Sequence, residues 1–213
     1  MEKQNWDISY EIHLDKYREL DPAEATQRTG LEFDSEHSRF KLEVLGYKLY
    51  AKWPEFELLP ADDTGDEDKC PKTLYNDFMM KVLAMRVLYL GVYAPPTGVF
   101  KAYRELPWGE LYDTNFSGRC IKRFAFGFGF KPDVFAKAAE SLSGVKQNLG
   151  DVSYDFPFLG GTSCRFILWK PDDEFPPSAQ ILFSDNSVLM YNAEDLAAVG
   201  DVIISALKEL AVT

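Results

Sequence analysis

Apolar residues recur at helical spacing from the start of the chain, at Trp6, Tyr10, Leu14 and Tyr17, and predict an amphipathic helix. Asp21-Pro22-Ala23-Glu24 then supplies an N-cap, a first-position proline and an acid at the third position, the signature of a second helix, which Gly30 ends. From Arg39 the period falls to two. Phe40, Leu42 and Val44 alternate with charged neighbours, and beyond Leu45-Gly46 the apolar face passes to Tyr47, Leu49, Ala51 and Trp53. A one-residue slip at a glycine is what a tight turn or a bulge requires, so two antiparallel strands are expected.

The longest apolar run, Phe78 to Ala94, is interrupted by Lys81 and Arg86 and stopped by Pro95-Pro96. It falls short of the roughly 20 apolar residues of a membrane span and predicts a helix buried on most sides in a soluble core. Thr73 is read as its cap, with Asp77 in its first turn. Residues 95–130 are the least regular part, holding Tyr103-Arg-Glu-Leu-Pro-Trp108 and Ala-Phe-Gly-Phe-Gly-Phe130. The alternating glycines lack the third glycine of a dinucleotide fingerprint and the Gly-Lys-Ser/Thr of a phosphate-binding loop. Small residues that let three rings pack on a neighbouring element are the preferred account.

Pro132 opens a helix through Phe135, Ala138, Ala139 and Leu142 to Gly144. Ser163 to Trp169 and Ala179 to Phe183 are short β-favouring runs, and Val188 to Tyr191 is read as a third. Asn192-Ala-Glu-Asp195 gives an N-cap with two acids in the first turn. A stripe of Leu196, Val199, Ile203, Leu207 and Leu210 follows, with Lys208 near the negative end. Helices and strands fall in separate groups. The expectation is an α+β fold in a single compact domain over residues 1–213, with N-terminal helices, small antiparallel sheets, a central buried helix and a C-terminal amphipathic helix.

Composition narrows the partners. With 46% hydrophobic and 15% aromatic residues the chain is too apolar to stay disordered, and a chain of this length is expected to bury about 70% of its unfolded surface. The net charge of −11 repels phosphate backbones and anionic lipid heads, so neither nucleic acid nor bare membrane is expected. The first residues hold no long apolar segment of a secretory signal, which points to the cytoplasm. Cys70, Cys120 and Cys164 are odd in number and far apart, which fits neither a disulfide framework nor a cluster or zinc site. The acidic run Ala-Asp-Asp-Thr-Gly-Asp-Glu-Asp-Lys-Cys70 lacks the ligand spacing of a calcium loop and is read as solvated.

Candidate chemistry is sparse. Asp172, Asp173 and Glu174 stand together in Trp169-Lys-Pro-Asp-Asp-Glu-Phe-Pro-Pro and offer oxygen ligands to a hard cation. Neighbours on an extended strand point to opposite faces, however, and converge on one ion only if the loop folds back. A solvated hairpin connection weighs more than a metal site or a general acid. His13 and His37 are read as surface residues, so a histidine-activated nucleophile has little support. Trp53, Tyr103, Trp108 and Trp169 are read as core aromatics before a ligand cage.

The stretch Trp169, Asp172-Asp173-Glu174-Phe175-Pro176, Ser178-Ala179, Ile181-Leu182-Phe183, followed by Tyr191 and Glu194-Asp195-Leu196, resembles the signature of domain-of-unknown-function family 3786. The similarity extends more loosely to Thr29-Gly30, Leu45-Gly46, Tyr89-Leu90, Trp108, Gly150-Asp151 and Phe156-Pro157. Pro171 stands where glycine is expected, and Ser184 where aspartate is expected. The resemblance implies an origin in anaerobic bacteria or archaea, with relatives fused to or encoded near iron–sulfur and corrinoid components of one-carbon metabolism. It implies no activity. A cluster or corrinoid would sit on a partner protein, and the chain's own cofactor is left open.

Three readings follow. The first is a non-catalytic accessory protein that binds a small ligand or a partner, its ligand-binding candidates being Trp169, Asp172, Asp173, Glu174, Tyr103 and Trp108. The second is a metal-assisted hydrolase centred on Asp172 to Glu174. The third is an acidic protein-interaction module. The first is preferred.

Overall fold

A computed structural model describes residues 2–61 and 70–212. The side chain of Trp6 and residues 62–69 of the acidic run, on which two of the expectations rest, lie outside the described residues. Helix α1 (Glu2–Glu19) turns Leu14 and Tyr17 into the core. Helix α2 (Pro22–Thr29) is capped as its sequence demands. The Asp21 carboxylate accepts from the N–H of Ala23 and Glu24, and Gly30 closes the other end in the left-handed region at φ 72°.

The first sheet is antiparallel in the order β1 (Phe33–Asp34), β2 (Arg39–Val44), β3 (Tyr47–Lys52), β4 (Leu58–Pro60). β2 and β3 pair from Arg39 with Lys52 to Val44 with Tyr47. Their two-residue turn has positive φ at both Leu45 and Gly46, the mirror-image turn that matches strand twist. A Cβ at Gly46 would stand 1.9 Å from Ser143 Oγ, so no side chain fits there. Leu45 tolerates its left-handed backbone because its side chain is wholly buried and its N–H donates to Pro157 O at 3.2 Å.

The second sheet is antiparallel in the order β5 (Phe100–Ala102), β9 (Ser178–Ser184), β8 (Thr162–Trp169), β7 (Val152–Phe158), β6 (Val145–Gln147). Helices α5 (Gly109–Phe116), α6 (Arg123–Phe128) and α7 (Pro132–Ser141) pack here, joined by a π-helical turn over Ser117–Lys122. Phe124 and Phe135 meet edge to face at 4.9 Å, and Phe124 meets Phe166 of β8 at 5.1 Å. A short α3 (Thr73–Asn76), the central α4 (Phe78–Leu90), a single-turn α8 (Ser187–Met190) and the long α9 (Ala193–Leu210) complete an α+β architecture. One contiguous cluster of buried side chains runs from Leu14 to Leu207. Among the described residues no helix is long and apolar enough to cross a membrane.

Four expectations about the elements change. The cap of α4 is Asp77, whose carboxylate accepts from Met79 and Met80 N–H, whereas Thr73 belongs to the separate α3. Helix α4 ends at Leu90 rather than running to Ala94, because Gly91 leaves helical geometry. The stretch from Gly109 to Phe128 is helical instead of irregular. On a helix, residues two apart lie about 200° around the axis, so Phe124 and Phe128 face the core while Phe126 and Phe130 point outward. The expectation that all three rings of the glycine-phenylalanine run pack inward therefore holds for Phe128 alone. Val188 to Tyr191 is no strand: residues 187–190 form α8, a short apolar run that periodicity cannot assign.

Glu209 of α9 caps α3 from 136 residues away, accepting from Lys72 N at 2.7 Å, Thr73 N at 3.0 Å and Thr73 Oγ1 at 2.8 Å. Partial burial pushes this carboxyl up, but the hydrogen bonds from Thr73 and Lys72 together outweigh it and hold it below the glutamate range. A depressed folded-state pKa gives stability that is present above the unfolded value of about 4.3 and lost as pH falls through the folded value. Glu209→Ala is expected to cost about 1 kcal/mol at pH 7. Urea unfolding should find the gap to the parent protein shrinking once pH drops below about 4. A gap of constant size would mean that the carboxylate charge is not what caps α3.

Candidate functional site

A cleft of about 290 Å³ opens between α4, α8 and the first turn of α9, with the segment before α5 as its fourth wall. Leu90, Pro107, Val188, Leu189 and Leu196 make most of it apolar. Its charged groups are Arg86 and Asp195. This size lies at the lower edge of small-molecule pockets, which run from roughly 300 Å³.

Each wall has a local cause. Asn192 caps α9 by accepting from Asp195 N at 2.9 Å, and Asp195 returns the bond by accepting from Asn192 N at 3.1 Å. That reciprocal box fixes the Asp195 carboxylate, which is more than nine-tenths buried and faces Arg86 across the α4–α9 contact. Burial raises the Asp195 pKa and the Arg86 charge opposes the rise. Arg86 Nε stands 2.7 Å from Asp195 Oδ1, but its N–H is not aligned on that oxygen, so the contact is ionic without a well-formed hydrogen bond. Arg86 also approaches the Tyr89 hydroxyl, which lies 2.7 Å from His13 Nδ1. Burial first, then the charges of Arg86 and Lys16, lowers the His13 pKa and favours the neutral ring. His13 is thus half-buried against α4 rather than a free surface residue.

The fourth wall is strained. Gly109 N–H donates to Leu106 O at 2.9 Å and closes a turn with Pro107 second and Trp108 third. Trp108 sits at φ 65°, ψ −2°, the left-handed place that a type II turn reserves for glycine. A bulky residue there is an outlier. Gly109 itself can be nothing else, since a Cβ would stand 1.8 Å from Tyr103 O. The Trp108 side chain gains little burial in return, being 73% exposed at the cleft rim.

Tyr103 holds this turn in place. Its ring is buried and stacks on Phe116 at 4.1 Å, its carbonyl accepts from Leu106 N at 3.1 Å, and its hydroxyl donates to Ala193 O at 2.8 Å. Burial pushes its pKa up to about 12, so the hydroxyl keeps its proton. Of the six candidate residues, Trp108 therefore lines the cleft and Tyr103 stands directly behind it.

Of the other four, Trp169 ends β8 and Asp172, Asp173 and Glu174 lie on the β8–β9 connection. Trp169 pairs with Ser178 at the hairpin end and covers Gly150, while Ser184 at the other end of β9 leads into α8. The seven residues of β9 put about 20 Å between the two ends. Asp172 Oδ1 accepts from Glu174 N at 2.9 Å and Phe175 N at 2.7 Å, which closes the loop on itself, and Asp173 and Glu174 are exposed. Ser184 is a buried neutral hub whose Oγ donates to Asn186 Oδ1 at 2.6 Å and accepts from Ser163 N at 2.9 Å.

Among the described residues no group of three or more His, Cys, Asp and Glu side chains is placed to hold a metal ion. All three cysteines are buried, and burial raises each thiol, to about 11 at Cys70, to about 12 at Cys120 and further at Cys164.

The sequence model of a family described as Domain of unknown function (DUF3786) matches residues 21–206. The chain belongs to this family. No curated protein and no solved structure matches it. All walls of the cleft, from Arg86 to Leu196, lie inside the DUF3786 span, whereas His13 on α1 lies outside it.

Arg86, Asp195 and Asn192 went unrecognised as neighbours in the sequence, where only the capping role of the last two is legible. The signal for the turn was present in Leu106-Pro107-Trp108-Gly109, since proline at the second place and tryptophan where glycine belongs is a conflict between turn chemistry and residue. Trp108→Gly is expected to stabilise the protein by about 0.5–1 kcal/mol. A left-handed backbone costs an L-residue roughly 1–2 kcal/mol, and glycine's larger chain entropy offsets part of the relief. Thermal unfolding should show a midpoint raised by about 2 °C in a chain of this size. A lowered midpoint would mean that the indole packs more than its exposure indicates.

Proposed function

We propose that this DUF3786 protein is a non-catalytic cytoplasmic binding protein that holds one small molecule in the Arg86–Trp108 cleft. It serves a partner protein that carries an iron–sulfur cluster or a corrinoid in anaerobic one-carbon metabolism. The observation that carries the reading is the pairing, at one apolar cleft, of an incompletely satisfied guanidinium with an exposed tryptophan in a strained backbone. Strain of this kind gathers at ligand clamps and functional sites, and an apolar pocket with a few convergent polar groups is the usual form of a binding site.

The groups in the cleft favour binding over reaction. Among the described residues its charged side chains are an ion pair, the buried Tyr191 beside them keeps its proton, and the cysteine thiols lie elsewhere in the core. The association with anaerobic metabolism rests on the resemblance alone, and the redox group is assigned to the partner because among the described residues the buried cysteines form no group of three or more ligands.

The test is native mass spectrometry of protein purified without oxygen, against the same sample denatured. The expected result is one small-molecule mass that leaves on denaturation, is absent from Trp108→Ala, and persists when Asp172, Asp173 and Glu174 are all changed to Ala. A mass that follows the acidic triplet instead would move the site to the β8–β9 hairpin and restore a metal-assisted role for it.

A further inference from the structure

The donor set of Arg86 defines what can complete it. A guanidinium presents five N–H groups in a planar fork. Nε is buried 2.7 Å from Asp195 Oδ1 without an aligned hydrogen bond, and the guanidinium, which also approaches the Tyr89 hydroxyl, belongs to a side chain that stays 18% exposed where it lines the cleft. Asp195 holds its second oxygen on Asn192 N–H and turns its first toward Arg86 Nε. N–H groups of a guanidinium that lines a cleft are open to an acceptor from outside the chain. Two oxygens in one plane match the fork best.

Charge narrows the acceptor further. Among the described residues Arg86 is the one cation lining the cleft, and Asp195 already offsets it. A dianion such as a phosphate ester would meet the Asp195 carboxylate with its second charge unmatched. A single negative charge leaves the group of three at −1, and a neutral amide leaves the cationic fork half used. The remaining walls are apolar, and the exposed Trp108 indole offers a flat face to a flat partner.

Resting on the cleft reading above, we infer that the ligand is a monocarboxylate with a flat apolar body, the carboxylate on the terminal N–H fork of Arg86 and the body against Trp108. Arg86 supplies the specificity for the head group. Trp108 supplies the specificity for the body, which explains why a strained turn carries a large side chain there.

Benzoate, benzamide and phenylphosphonate share one ring and differ in head group, and their binding to the full chain can be compared by ligand-observed magnetic resonance and calorimetry. Benzoate is expected to bind about tenfold or more tighter than benzamide, in keeping with a charge-assisted pair of hydrogen bonds, and tighter than phenylphosphonate at pH 8. Trp108→Ala should weaken benzoate about threefold to tenfold, and Arg86→Lys, which keeps the charge and loses the fork, about tenfold. If Arg86→Lys does not fold, the head-group series on the parent protein decides.

Equal binding of benzoate and benzamide, tighter phenylphosphonate, indifference to Trp108→Ala, or no benzoate binding at millimolar concentration each overturns the carboxylate assignment. The two readings fail separately. A co-purified mass that depends on Trp108 but is neutral or basic rejects the carboxylate and keeps the cleft, whereas a mass indifferent to Trp108 rejects the cleft itself.

Discussion

The burial of α9 on nearly every side is the constraint around which the rest is arranged. A helix sunk in a core has little water for the polar groups along its length, and four of them find partners on other elements. Asp195 faces Arg86 of α4, Asp201 pairs with Arg119 in the π-helical turn and with Arg123 of α6, Ser205 accepts from Arg123, and Glu209 caps α3. The polar residues of α9 thus act as attachment points, and the apolar ones fill the space between. Gly200 lets this happen at close range: a Cβ there would stand 3.3 Å from Cys120 Sγ and 3.4 Å from the Phe116 ring, at the point where the helix opposite widens into its π turn.

What could be read from the sequence follows from how local its causes are. Asp21 and Gly30 at the ends of α2, the Leu45-Gly46 turn, Pro132 at the start of α7 and the Asn192–Asp195 box are each set by a few adjacent residues, and all appear where the pattern put them. The helix from Gly109 to Phe128 was hidden because glycines at 109, 118 and 127 lower helix propensity and a glycine-phenylalanine alternation imitates a strand. Tertiary packing overrides both. The cleft was illegible for a different reason: Arg86, Trp108 and Asp195 come from distant segments, and no spacing rule brings them together. Tyr103 and Trp108 were noticed as aromatics, but their joint role depends on a hydroxyl that reaches Ala193, 90 residues on.

The cleft also shows how strain and satisfaction are distributed in this fold. The hub at Ser184, Asn186 and Ser187 is buried and well bonded, and the half-buried Asp155–Arg165 pair makes two contacts at 2.7 and 2.8 Å across β7 and β8. Arg86 and Trp108 depart from that standard within a single recess, one short of acceptors and the other in a backbone conformation that its side chain resists. Thr26 Oγ1 and Trp53 Nε1 are also buried without a partner, and Ser38, Leu45 and Ser143 also take positive φ, but the cleft is where one exception of each kind meets.

The reach of α9 has a kinetic side. Its attachments close loops of 82 residues to Arg119 and 136 residues to Thr73, and such closures are late and slow because chain entropy is lost before the contacts form. During synthesis every partner of α9 leaves the ribosome before the helix does. Until it arrives, α4 has α1 and α2 against it but lacks the cover that α9 provides, and apolar surface left open in this way is what makes incomplete folds prone to associate. The same helix that ties the finished molecule together therefore dictates when the molecule can first exist.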